Sequence, residues 1–330
     1  MDRFSNIPEG TIYESPTGAH YSIRRKLGYG VSGHVYQAIE IETNKKVAFK
    51  IGYIPKDCKN PKDDQLLHEI NMYEYIDQHI QQSEKQFFGE LIDNFLIEEQ
   101  HARVLILELY VINAFQQLKG WGYCGFSLEQ VQIILRDVAS GMKALHEIKV
   151  THCDLKPENI VLTSNNHARI IDFGSSETLE DNFDLYIQSR YYRAPEVILE
   201  LQKKSTVDVW SFGCIAFELY MGLPIFAGHN KLHMLQLMEV RLGKFPIRMI
   251  RDSTCSQNFF KNNKVVFYDK FFDPSHFKNT SLSDIILSKP TNQVKIRDSL
   301  LNLIEQCLRY EPEKRISFSS IIDHNFFSFC

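Results

Sequence analysis

Thr151-His152-Cys153-Asp154-Leu155-Lys156-Pro157-Glu158-Asn159, followed by Asp172-Phe173-Gly174, constrains this chain more than any other stretch. Two acids, a lysine and an amide stand at fixed short spacings between apolar runs. The run Lys143 to Val150 leads in, Ile160-Val161-Leu162 follows Asn159, and Ile170-Ile171 runs into Asp172. A short apolar run, a turn and a second apolar run ending in an acid read as a small hairpin beside a loop. The tip of that hairpin would gather Asp154, Lys156 and Asn159, and its far end would aim Asp172 at the same place. Such a set offers an acid to accept a hydroxyl proton, a cation for a moving phosphate and oxygen ligands for Mg²⁺. Those are the requirements of phosphoryl transfer.

The pattern HxD-L-K-P-E-N with a downstream D-F-G resembles the catalytic loop and metal motif of eukaryotic protein kinases. The resemblance implies an α+β, bilobal protein kinase fold with a small β-rich N-lobe and a larger, mainly helical C-lobe. It also implies ATP and Mg as cofactors. Asp154 would be the catalytic base, Lys156 the γ-phosphate contact, and Asn159 and Asp172 the metal ligands.

Length and composition fit that picture. At 330 residues the chain exceeds the usual single-domain length, so one bilobal domain or two small ones are expected. A hydrophobic fraction of 44% supports a sizeable core. A net charge of -4 gives no general reason to expect nucleic acid or an anionic membrane as partner; the kinase resemblance implies protein substrates and a monomeric enzyme. Seven cysteines form no CxxC pair, which fits reduced thiols and an intracellular location, cytoplasm and/or nucleus. No run of about 18 apolar residues occurs, and the N-terminus is no signal peptide.

Residues 1–20 carry Pro8, Gly10, Pro16 and Gly18 without periodicity and read as a flexible leader. Leu27-Gly28-Tyr29-Gly30-Val31-Ser32-Gly33-His34-Val35 contains G-x-G-x-x-G-x-V, a hairpin whose amides can approach phosphates. A plain glycine-bearing turn explains it equally well. A dinucleotide site would need a helix next, whereas Val35 to Ile41 and Lys46 to Ile51 read as strands. In the kinase resemblance Leu27 to Gly33 and Val35 cover ATP, with Ser32 where an aromatic loop tip is usual. Val47-Ala48-Phe49-Lys50 matches V-A-x-K, and three apolar neighbours argue for a buried face on which Lys50 needs an anion. Asp63 to Ile80 reads as a helix with Leu66, Ile70 and Tyr73 on one face. Glu69 shares that face, so it ranks ahead of Glu74 as the partner of Lys50.

Leu91 to Leu96 and Arg103 to Leu109 read as the last strands of a five-stranded sheet. The resemblance makes Leu107 the gatekeeper, with Glu108, Leu109 and Tyr110 as the adenine-binding hinge and Ala48 as a further ATP contact. This places the N-lobe over 21–109 and the C-lobe over 110–330. Ser127 opens a helix running to about His146. His152 reads as a packed histidine, and Cys153 replaces the arginine that commonly pairs with an activation-loop phosphate.

Tyr186-Ile187-Gln188-Ser189-Arg190-Tyr191-Tyr192-Arg193-Ala194-Pro195-Glu196 resembles the activation segment of the CMGC kinases. Together with His-Cys-Asp and Asp-Phe-Gly-Ser-Ser it points to the DYRK branch. Tyr186 would then be an autophosphorylated activation site, with Arg190 and Arg193 at hand for its phosphate. Asp208, in Val207-Asp208-Val209-Trp210, would hold the catalytic loop by its backbone. Arg315 would pair with Glu196 as a structural link. The region from about 229 to 294 matches the large CMGC insert, and its start is similar to the pre-mRNA-processing kinase. A pseudokinase scaffold and a small-molecule phosphotransferase remain as rival classes.

Overall fold

The computed structural model describes residues 4–30, 33–54, 64–178, 187–266 and 280–329. The chain divides into two compact units, Met1–Val111 with Ile171–Ser176, and Ile112–Ile170 with Glu177–Cys330. This is the expected α+β class, a β-rich N-lobe and a mainly helical C-lobe.

The first unit is built on one antiparallel sheet of β1 (Ile12–Glu14), β2 (His20–Gly30), β3 (Gly33–Glu40), β4 (Lys45–Tyr53), β5 (Leu91–Ile97) and β6 (Ala102–Glu108). The strand order is β1-β2-β3-β4-β6-β5. Successive side chains of a strand point to opposite faces. On β4, Val47, Phe49 and Ile51 enter a core with Tyr21, Ile23, Tyr36, Val104 and Ile106. The helix α1 (Gln65–His79) packs Leu66 and Ile70 on Leu105, with Leu91 and Leu107 partly buried alongside.

Two sequence expectations fail here. Residues 4–20 are no flexible leader, and the sheet has six strands rather than five. Phe4 and Ile7 are buried in the sheet core. The Tyr36 hydroxyl donates to the Phe4 carbonyl at 2.5 Å and accepts from Ile7 N at 3.1 Å. Gly10 and Gly18, at φ +83° and +87°, make turns that lead into and out of the β1 edge of β2. Ser15 Oγ then donates to Asp93 at 2.6 Å. Glycine and proline that read as looseness are turn chemistry. Burying one phenylalanine contributes roughly 1.5–3 kcal/mol, and Ile7, the Tyr36 hydrogen bonds and the β1–β2 pairing add to it.

The boundary also moves. The first unit ends at Val111 rather than 109, and it takes in Ile171–Ser176, which the sequence reading gave to the C-lobe. Phe173 explains the second change: its ring stands edge-on to Tyr73 of α1 at 4.9 Å and lies 6.1 Å from Phe88.

The second unit begins with β7 (Ile112–Asn113), α2 (Ala114–Gly120), α3 (Leu128–Glu147) and β8 (Val150–Thr151). Ser127 caps α3 by accepting from Gln130 N, within a capping box. The strands β9 (Ile160–Leu162) and β10 (Ala168–Ile170) form the hairpin, and β11 (Glu177–Thr178) pairs with β8. After α4 (Pro195–Ile198) comes α5 (Val207–Met221), buried along nearly its whole length. Gly213 of α5 lets α9 (Val294–Cys307) approach, since a Cβ there would lie 2.7 Å from Cys307 Cβ. The insert holds α6 (Lys231–Leu242), α7 (Ile247–Asp252), a ribbon of β12 (Phe260–Lys261) and β13 (Lys264–Val265), and α8 (Leu282–Ser288). The short α10 (Phe318–Ile322) packs on α3.

Candidate functional site

Each unit carries one cluster of the residues singled out from the sequence. In the first, strand registry places Val35 opposite Lys50, Lys50 opposite Leu105, and Ala48 opposite Leu107. Directly paired residues share a face, so Val35, Ala48, Lys50 and Leu107 line the face opposite Val47, Phe49 and Ile51. Gly28 pairs with Val35 and Gly30 with Gly33 across the same hairpin. Gly33, at φ +133°, is obligatory, because a Cβ there would lie 2.3 Å from Ile51 O. Leu27 and Tyr29 are exposed, and Val31 and Ser32 lie outside the described residues. At the end of β6, Glu108 N donates to Glu90 O at 3.0 Å, and the Tyr110 hydroxyl donates to Glu108 at 2.5 Å. Leu109 is partly buried beside them.

Lys50 Nζ donates to Glu69 Oε2 at 2.6 Å and lies 3.6 Å from Asp172 Oδ1. Glu69 is fully buried on α1, whereas Glu74 is exposed. The start of α1 is fixed by Asp64, which accepts from Leu67 N at 3.0 Å and pairs with Arg103 of β6 at 2.9 Å. Burial alone would pull the Lys50 ammonium down, but Glu69 and then Asp172 outweigh it and hold the pKa above the ordinary lysine value. Burial pushes the Glu69 carboxyl up, with Lys50 pulling it back. An ammonium between two carboxylates stays charged. Asp172 itself sits at φ +67°, a left-handed conformation uncommon for a non-glycine residue. Nearby, His68 Nε2 donates to Ser176 O at 2.8 Å.

In the second unit, Asp208 of α5 is buried, and its carboxylate accepts from His152 N at 2.8 Å and from Cys153 N at 3.0 Å. His146 Nε2 donates to the same carboxylate at 3.0 Å. Those bonds hold Cys153 at φ +63°. The Cys153 thiol is buried, and burial first, then Asp208, pushes its pKa well above the usual thiol value. It is no thiolate nucleophile.

Asp154 Oδ2 accepts from Lys156 Nζ at 2.5 Å and Oδ1 from Ser189 N at 2.8 Å. Asn159 Nδ2 donates to Asp154 O at 3.0 Å, which leaves the amide oxygen for another partner. Asp154, Lys156 and Asn159 are thus together, but at the base of the hairpin rather than its tip. Thr163 to His167 form the tip, closed by Thr163 N to His167 O, and the loop takes its shape from Asp208 instead.

The segment after the loop is held from within. Gln188, buried at φ +65°, donates its backbone N–H to Cys153 O and its side chain to Val207 O and Ser211 Oγ. Arg193 is buried and donates to Ile187 O and Gln188 O. Arg190 is exposed, and Tyr186 lies outside the described residues. Glu196 and Arg315 form a buried fork at 2.6 and 2.7 Å.

Gln188 and His146 were missed as functional residues by sequence reasoning. Gln188 stands in the quoted Tyr-Ile-Gln-Ser-Arg run, but nothing in a sequence marks a glutamine as a buried hub. His146 closes an apolar helix, where a histidine reads as an end signal.

In the first unit Asp172 offers a carboxylate, and in the second Asn159 offers an amide oxygen. Each is a hard oxygen ligand of the kind that binds Mg²⁺ together with phosphate. Among the described residues no group of three His, Cys, Asp or Glu could make an all-protein metal cage.

Residues 21–327 match the protein kinase domain. Dual specificity protein kinase CLK2 of Homo sapiens is 32% identical over 93% of this chain and 64% of its own length. DYRK-family kinase pom1 of Schizosaccharomyces pombe is 31% identical over 95% of this chain and 28% of its own. Dual specificity tyrosine-phosphorylation-regulated kinase 4 of Homo sapiens is 32% identical over 92% and 56%. The chain therefore spans less than two thirds of each of these relatives.

Proposed function

Because this chain belongs to the protein kinase domain family, we propose that it is an ATP- and Mg-dependent kinase that phosphorylates serine and threonine of proteins. We further propose that it phosphorylates its own Tyr186. The charged Lys50 between Glu69 and Asp172 carries this reading, since a buried cation facing two acids is what a polyphosphate needs.

Bound Mg-ATP supplies the phosphoryl group and neutralises its charge. Gly28, Gly30 and Gly33 would cover the nucleotide, and Ala48, Leu107 and the backbone of Glu108 to Tyr110 would hold adenine. Lys50, paired with Glu69, would orient the phosphates. Asn159 and Asp172 would hold the metal. Asp154 accepts the proton of the acceptor hydroxyl, its orientation set by Ser189 N and Lys156. Lys156 meets the charge that develops on the transferred group.

The described cysteines are all free, which supports a reducing location, cytoplasm and/or nucleus. The chain acts as a monomer on protein substrates, as a DYRK/Yak-like regulator of growth or the cell cycle.

Transfer of labelled phosphate from ATP to a peptide array tests the enzyme. Turnover lost in Asp172→Asn separates a kinase from a scaffold, whereas equal labelling of wild type and Asp172→Asn would refute the proposal. Mass spectrometry of protein expressed in bacteria tests Tyr186. Phosphate there in the wild type but not in Asp172→Asn is expected, and full activity of Tyr186→Phe would overturn its activating role.

A further inference from the structure

Arg190, Arg193, Ile198, His229, Lys231 and Met234 enclose a cavity of about 220 Å³. That is smaller than the roughly 300–1,000 Å³ of a drug-sized ligand site, but it is room for one charged side chain. Its floor is apolar, from the buried Ile198 and Met234. Its walls are basic and come from two places far apart in sequence. Arg193 is a fixed wall, because its guanidinium is tied to Ile187 O and Gln188 O. His229 and Lys231 come from the start of the insert. The acid Glu200 meets Lys231 at 3.3 Å, with both side chains about 40% exposed. An exposed pair of this kind is worth little and can be re-aimed.

The position of the cavity matters as much as its charge. Ser189 N donates to Asp154, and Lys156 Nζ donates to Ser189 Oγ at 3.2 Å. Arg190 is the next residue, so the cavity opens one residue from the group that orients the catalytic acid. An extended peptide advances about 3.3–3.6 Å per residue. A peptide whose hydroxyl meets Asp154 therefore carries one of its neighbouring side chains over the cavity.

Resting on the protein kinase reading, we propose that this cavity receives a phosphorylated serine or threonine of the substrate, within four residues of the acceptor. A phosphate carries about −1.5 to −2 charge and three acceptor oxygens, which suits guanidinium and ammonium donors better than a single carboxylate does. The insert would then select substrates already phosphorylated by another kinase.

The test uses purified full chain and peptides with one acceptor serine, bearing alanine, glutamate or phosphoserine at each of the four positions on either side of it. Phosphoserine at one position is expected to raise kcat/KM about tenfold through KM, and glutamate less. Lys231→Glu should abolish that gain and His229→Gln should reduce it, while both keep the alanine peptide within about twofold of wild type. Equal rates for all three peptides, or a preference that survives Lys231→Glu, would overturn the proposal. The same series in Tyr186→Phe distinguishes the source of the phosphate. A preference seen in both backgrounds supports a substrate phosphate. One seen only in Tyr186→Phe shows that the chain's own phosphate fills the cavity, and overturns it. No transfer to the alanine peptide by any variant would instead be failure of the kinase reading itself.

Discussion

Two buried ion pairs, one in each unit, look alike in a contact map and differ in how fully their donors are matched. Arg315 donates from Nη1 and Nη2 to Glu196, and its remaining N–H groups reach the carbonyls of Arg309, Thr206 and Tyr310 at 2.8, 3.0 and 3.1 Å. Its guanidinium also lies 5.1 Å over the Trp210 ring. A guanidinium has five N–H donors, and every one has a partner. Lys50, by contrast, makes one short bond to Glu69 and a looser 3.6 Å approach to Asp172, and Glu69 Oε1 is buried without a partner. A saturated pair fixes a structure. An unsaturated one keeps capacity for a third charged group, which in the proposed kinase would be phosphate.

The largest expected effect breaks the functional side of that contrast. Lys50→Ala, Asp154→Asn and Asp172→Asn should each lower phosphate transfer by about 10²–10⁴, typical for a positioned catalytic group, while circular dichroism stays that of the wild type. For Lys50→Ala the fold survives because Glu69, already pushed up by burial, can take a proton. If Asp154→Asn keeps near wild-type turnover on a peptide, the base has been misassigned.

Arg315→Ala should do the reverse. It leaves Glu196 buried and uncompensated, at a cost of about 3–5 kcal/mol. A thermal melt should shift markedly, while activity per folded molecule at low temperature remains. An unchanged melting temperature with lost activity would erase the distinction between the two pairs.

Glu218 supplies a third case, a buried carboxylate with a hydrogen bond in place of a salt bridge. The Tyr192 hydroxyl donates to it at 2.8 Å. Burial first, opposed by that bond and reinforced by Glu158, raises its pKa from 4.5 to about 7. The folded state therefore binds a proton that the unfolded state has lost between those values. The stabilisation is fully present below about pH 4.5 and is lost as pH rises through about 7. Glu218→Gln, which keeps an acceptor for Tyr192, should change little at pH 5. At pH 8 it should stabilise by up to about 3 kcal/mol. Equal melting shifts at the two pH values would show that Glu218 titrates normally.

How much of this could be read from sequence followed a physical rule. Glu69 was legible because helical spacing puts it on the face of Leu66 and Tyr73. Asp208 and Arg315 were legible only through the kinase resemblance, which implies a backbone contact for the one and a pairing with Glu196 for the other. The burial of Phe4 and Ile7 was not, since two apolar residues among glycines and prolines carry no periodicity and their anchor, Tyr36, lies about thirty residues away. Nor was the place of the catalytic loop, because apolar runs show that a hairpin exists without showing which turn is its tip. Gln188 was invisible for the same reason: its partners are carbonyls, which every residue has.

The smallest effect concerns how Glu69 is placed at all. Asp64 both caps α1 and pairs with Arg103, with side-chain exposures of 3% and 13%. It lies between the two extremes, more matched than Glu69 and less than Glu196. Asp64→Asn keeps an oxygen for Leu67 N but removes the charge facing Arg103, and should cost about 1 kcal/mol. Asp64→Ala removes both, and adds roughly 0.5–2 kcal/mol for the lost cap. Glu69 lies one turn into the helix, so a frayed start should also reach Lys50. The expected signature is a raised KM for ATP in Asp64→Ala with kcat little changed, and neither change in Asp64→Asn. If both variants lose only stability, the cap serves the fold, and Glu69 is held in place by the packing of Leu66 and Ile70 on Leu105.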